Sequence, residues 1–222
     1  MRKTALFTIA AVVSFALQAG AQSYTYVPAG ATSAPFPAIN YQGAGPQTVN
    51  SLITWSSTNA TNQGGSLYGW TDGYGFGSNG FWDSSVGPMI GVNDSYDAYG
   101  VTDTMTLAFS SPVAYVGGFF NYFPGDSTPT TIDLYNAAMD LIASYNVTFL
   151  TNGATDTGQW LGWFESTADI SYLTMTDNYI GATDLSYSAT PLTVPEGSGF
   201  SMLGACLLAI GLCLGMKKKL AL

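Results

Sequence analysis

The sequence predicts an all-β protein: a single antiparallel β-sandwich or jelly roll, flanked by an N-terminal signal helix and a C-terminal transmembrane helix. Three observations carry the fold class. Apolar and polar residues alternate with period two in one segment after another. Turn residues recur roughly every 8–12 positions, as in sandwiches and barrels. No stretch of ten or more residues carries the apolar stripe of an amphipathic helix.

The elements follow in order. Residues 47–55 form a first candidate strand. Residues 102–109 (TDTMTLAF) put Met105, Leu107 and Phe109 on one face, and 113–123 (VAYVGGFFNYF) suit a buried central strand. Residues 131–136 and 141–149 flank Ala137-Ala138-Met139-Asp140 and read as a hairpin. Residues 159–164, 170–176 and 184–188 complete the set. The glycine-dense 64–91 stretch is expected as a long loop or irregular strands over one end of the sandwich. Its Trp70, Tyr74, Phe76, Phe81 and Trp82 are too apolar for open solvent. The domain reading is a flexible segment at 22–47, a sandwich at 48–189 and a spacer at 190–198. No fixed-period repeat is visible, which speaks against solenoids and propellers.

Charge narrows the chemistry. The 222 residues include 5 Lys+Arg, 14 Asp+Glu and no His, and only 9 % are charged, against roughly 25 % in an average soluble protein. Without histidine there is no Ser-His-Asp or Cys-His catalysis, no His-ligated zinc or haem, and no histidine pH switch. The bases are Arg2, Lys3, Lys217, Lys218 and Lys219, so residues 22–196 hold all 14 acids and no basic side chain. That excludes a nucleic-acid footprint and any salt bridge within the body.

The two ends carry addresses. Residues 1–21 have a basic n-region (Arg2, Lys3), an apolar h-region at 4–17 and the small residues Ala19-Gly20-Ala21. This is the layout of a cleaved signal peptide, with the mature chain beginning at Gln22. At the other end, 199–216 is uncharged and apolar, about 27 Å long as a helix at 1.5 Å per residue, enough to span a bilayer core. Lys217, Lys218 and Lys219 close it and keep the 217–222 tail cytoplasmic. Cys206 and Cys213 fall inside this segment, so the body folds without disulfides.

Val194-Pro195-Glu196-Gly197, the apolar run and the lysines together resemble the PEP-CTERM sorting signals of Gram-negative bacteria, which membrane-embedded exosortases read. The usual motif has proline where Gly197 stands. The order of segments over 102–187 is also similar to β-sandwich ectodomains common among such sorted proteins. The resemblance implies export, processing by signal peptidase and an exosortase-like enzyme, membrane insertion before processing, and a place at the cell surface or in exopolysaccharide matrix. A plain single-pass anchor is the other reading of this end.

Within the body, paired carboxylates are the acid–base resource. Asp94, Asp97 and Glu165 are candidates for a glycan-acting hydrolase, which needs two carboxyls on either side of a sugar. Calcium is the more natural use of such acids, with Asp94, Asp97 and Asp103, helped by Asn93, as one oxygen cluster and Asp177, Asn178 and Asp184 as another. No other cofactor is called for. Solvated or turn-capping acids explain each cluster without metal. Trp70, Trp82, Trp160 and Trp163 are candidates for stacking on sugars, and core filling is their plainer role. Trp160 and Trp163 would face opposite sides of a regular strand. The functions read from the sequence are therefore a non-enzymatic structural or adhesive surface protein, a carbohydrate-binding module, and third a hydrolase.

Overall fold

The computed structural model describes residues 22–60, 65–93, 102–125, 129–177 and 179–192. The expected signal peptide, sorting motif, membrane helix and basic tail lie outside these residues, as do Asp94, Asp97 and Asn178.

The strands, in chain order, are β1 (Gln22–Tyr24), β2 (Thr32–Ser33), β3 (Tyr41–Gln42), β4 (Gln47–Thr48), β5 (Ile53–Ser57), β6 (Ser66–Trp70), β7 (Tyr74–Gly75) and β8 (Phe81–Trp82). They continue with β9 (Met89–Val92), β10 (Asp103–Val113), β11 (Tyr115–Tyr122), β12 (Thr131–Tyr135), β13 (Leu141–Asn146), β14 (Gln159–Phe164), β15 (Ile170–Asp177) and β16 (Ile180–Ser188). A 3₁₀ turn, Gly77–Asn79, separates β7 from β8.

All the strand pairings are antiparallel. One sheet runs β1-β14-β11-β16-β9-β6-β3, with β2 also paired to β16; the other runs β13-β12-β15-β10-β5-β4. The alternation in β10 decides which way it faces: Met105, Leu107 and Phe109 are buried, while Thr104, Thr106 and Ala108 are partly open. Met105 lies opposite Met175 and Ser57, and Leu107 opposite Leu173 and Trp55. From the facing sheet Val116, Phe120, Leu161, Trp163, Ile180 and Leu185 join the same buried cluster. Each large apolar side chain buried there contributes about 1.5–3 kcal/mol. The ladder breaks between Ala108 and Val113, and Pro112, which has no N–H to donate, sits inside that break.

Three expectations need correction. Residues 47–55 are not one strand: β4 and β5 pair antiparallel across a turn in which Asn50 Oδ1 accepts from the N–H groups of Leu52 and Ile53. Residues 22–47 are not a loose segment: they supply β1, β2, β3 and the start of β4, and Ala34 and Phe36 are core residues. Its Ala/Gly/Pro composition reads as a linker, but Phe36 packs edge-on against Tyr68 (6.0 Å, 78°), and Ala34 N–H donates to Leu185 O at 2.7 Å. The 64–91 stretch does hold irregular strands, but not over one end: β6 and β9 belong to the first sheet, with a register shift between Tyr68 and Trp70, and the excursion between them, with the short β7 and β8, lies on that sheet's outer face.

Candidate functional site

The outer face of the first sheet has a glycine floor. On β9 and β16, Gly91 and Gly181 stand at outward positions. A Cβ on Gly91 would meet the Tyr74 ring at 3.2 Å, and one on Gly181 would meet Phe76 and Trp82 at 3.0 Å. Those three rings form a roof, with Phe76 edge-on to Tyr74 (4.9 Å) and to Trp82 (4.8 Å). Leu67 and Met89 complete the buried roof cluster, and Phe119, Trp70 and Val86 pack around it. Tyr74 donates its hydroxyl to Val92 O at 2.6 Å. Burial, followed by the nearby Tyr179 and Asp177, holds that phenol well above its ordinary range.

Asn79, fully buried in the 3₁₀ turn, ties the roof to β11 and to the loop after β13. Its amide N–H groups donate to Tyr122 O and Phe149 O, and its side-chain oxygen accepts from Thr151 N–H. Its backbone carbonyl accepts from Thr151 Oγ1, Thr157 Oγ1 and Asn121 Nδ2. Trp82 Nε1 donates to Thr157 O at 2.6 Å. Gly80, at φ 87°, passes so close to the loop that a Cβ would fall 2.2 Å from Ala154 O, and the left-handed φ is itself one that glycine tolerates.

Where roof and loop meet there is an open cleft of about 440 Å³. Its apolar wall is Phe119, stacked on Trp82 at 5.9 Å and 25°, with Phe149 beside it. Asn152, Asp156 and Gln159 supply polar edges. The Asn152 carbonyl oxygen accepts from Ala154 N–H, which leaves its amide N–H groups for other use. Gln159 has no side-chain hydrogen bond among the described residues. Asp156 is a support: one oxygen accepts from Asp83 N–H at 3.2 Å and the other from Ser85 Oγ. An aromatic wall with amide donors and acceptors suits a neutral polyhydroxylated ligand.

The sequence-derived candidates are scattered by the fold. Trp82 and Trp163 are buried and cannot stack on a sugar; they fill the roof and the sandwich core. Trp70 and Trp160 are half-buried, so Trp160 and Trp163 do point to opposite sides of β14. Asp103 is buried at the end of β10, where its oxygens accept from Thr58 Oγ1 at 2.9 Å and Asn59 Nδ2 at 2.8 Å. Its cross-strand partner is Asp177, also buried, whose carboxylate accepts from Thr130 Oγ1. Among the described residues no three acidic or cysteine side chains group as a metal site. Glu165 follows β14; one of its oxygens is buried without a partner. Burial, with the charge of Asp169, raises its pKa. The cleft residues Phe119, Asn152, Asp156 and Gln159 escaped sequence reasoning. Their one signal was the polar, glycine-containing run 151–159, long for a connection between strands.

Compared with known protein families, curated proteins and solved structures, the chain finds no match.

Proposed function

We propose that this is an exported, non-enzymatic protein of the cell surface or extracellular matrix, structural or adhesive in type. In this reading residues 1–21 are a signal helix, and 199–216 a membrane helix that anchors the chain until a PEP-CTERM-like signal at Val194, Pro195 and Glu196 is processed. The observation that carries it is where the last strand stops: β16 ends at Ser188, a few residues before Val194, so the strands of the sandwich finish ahead of the expected sorting motif. It fits an envelope destination that all 14 acids lie between the two expected address signals. Intact mass of the protein recovered from envelope and medium tests this: a species beginning at Gln22 and ending near 194–197 is expected. A mass running from Met1 through Leu222 overturns it, and one from Gln22 through Leu222 leaves a plain membrane-tethered ectodomain.

A second reading, carbohydrate binding, is favoured by the Phe119 wall with Asn152 and Gln159 beside it. Retention on immobilised polysaccharide should fall on Gln159→Ala while the melting temperature holds. Unchanged retention would remove the cleft from the account. Calcium at Asp94, Asp97 and Asp103 belongs to the same reading, and a melt identical in chelator and in added calcium would end it.

A further inference from the structure

The four edge strands of the two large sheets are unequal. β1, β3 and β4 have three residues or fewer, whereas β13 has six (LIASYN), with neither charge nor proline. Charges, prolines, shortness and bulges are the usual devices that keep an edge from pairing with another chain; β13 has none of the first three, and its one slip against β12, at Ile142, lies before the regular Ala143–Asn146 stretch. Met139 and Leu141, at its start, are among the few large apolar side chains left exposed.

The ladder fixes which backbone groups are free. Val147 N–H donates to Thr130 O at 2.9 Å, continuing the β12–β13 register in which Thr131 faces Asn146 and Ile132 faces Tyr145. Antiparallel pairs alternate, so Tyr145 and Ala143 turn their backbone groups toward β12, and Ser144 and Asn146 turn theirs away from the sheet. No backbone hydrogen bond from another described segment reaches that side.

We infer that β13 is a self-association edge whose partner is β13 of a second copy of this chain. The juxtaposition is antiparallel about a two-fold axis at Tyr145. Ser144 of each copy pairs with Asn146 of the other, making four new backbone hydrogen bonds and one continuous sheet across both molecules. Same-face residues then meet same-face residues, and no two carboxylates of the strands stand opposite each other. The contact is isologous, the same patch on both copies, and an uncharged edge lets two acidic bodies meet without opposed carboxylates. The inference deepens the structural reading of the function and rests on it for its setting. Because each body carries 14 acids and no base, the copies repel at long range, and association strengthens as salt screens them.

Sedimentation of the full chain over a concentration series, at low and high salt, tests the edge. A dimer that grows with concentration and with salt is expected. Ser144→Pro and Asn146→Pro each delete an outward N–H that β12 does not use, as an edge strand tolerates. Each removes two of the four hydrogen bonds and should weaken the dimer at least about tenfold, with melting temperatures within about 3 °C of the parent. Hydrogen exchange on the unaltered chain supplies a reading free of any folding defect: the Ser144 and Asn146 amides should slow as concentration rises. A monomer under all conditions overturns the inference, as does a dimer that survives both prolines. Amides slow at every dilution also overturn it, because another segment of the same chain would then hold the edge. None of these outcomes bears on the processed mass, so failure here and failure of the export reading are told apart.

Discussion

The two outer faces of the sandwich are built on opposite plans. On the β9/β16 side glycines stand at outward positions 91 and 181, and aromatic rings lie directly on the backbone there. On the β10/β15 side hydroxyls take such positions: Thr104 faces Thr176, with their oxygens 2.9 Å apart, and Thr106 faces Thr174. A β-branched side chain fills the pleat by itself and needs no cover, while a glycine leaves a trough that something else must fill. The roofed part of one sheet is therefore apolar on both sides and closed over; β10 in the other alternates apolar-in, polar-out. Sheet-face chemistry, more than strand propensity, decides where the chain can afford an excursion such as the roof.

The largest test of that contrast is Trp82→Ala. It should cost about 3–5 kcal/mol in denaturant unfolding, because it empties the roof and drops the Thr157 bond; a loss below about 1 kcal/mol would mean the roof is not packed. Gly181→Ala attacks the same contact from the floor and should cost about 1–3 kcal/mol through overpacking. The contrast is sharpened by pH. Burial raises the carboxyls of Glu165 and Asp184 above their ordinary values of 4.5 and 3.8. The folded protein then holds protons that the unfolded chain has released, so stability is lost as pH rises through the raised values. Melting temperature should climb as pH falls through the raised carboxyl range of Glu165 and Asp184, and Glu165→Gln should flatten part of that climb. Asp83, lowered by its hydrogen bonds from Ser85, works the other way at more acid pH. A flat profile in the unaltered protein would contradict both directions. The smallest effect belongs to the open face: Thr106→Val should change unfolding free energy by no more than about 0.5 kcal/mol.

How legible each part was depends on the range of the interactions that make it. β10 and β12 could be read directly, because alternation is a local property of a half-buried strand; β11, β14 and β15, largely buried, are legible as short apolar runs, and β13 from its hairpin connection to β12. β16 starts at Ile180 rather than at 184, since Gly181-Ala182-Thr183 has no large residue to show the pattern. Asp184, at φ 51°, sits where the ladder with β11 slips between Gly117 and Phe119, a place where aspartate tolerates the left-handed region. The two-residue strands near the N-terminus carry no periodicity to read. The cleft was hidden for a different reason. Asn79 and Thr151 meet across 72 positions of sequence, and no local pattern marks such a pair.

β16 has one more consequence. It is the last strand before residue 192, and it is bonded to β11 on one side and to β9 and β2 on the other. A pull on the chain beyond it runs along the strand, across hydrogen bonds that lie perpendicular to that direction. The bonds are loaded in shear as a group instead of being unzipped in turn, so tension from the C-terminal side meets the middle of the sheet rather than a fraying edge.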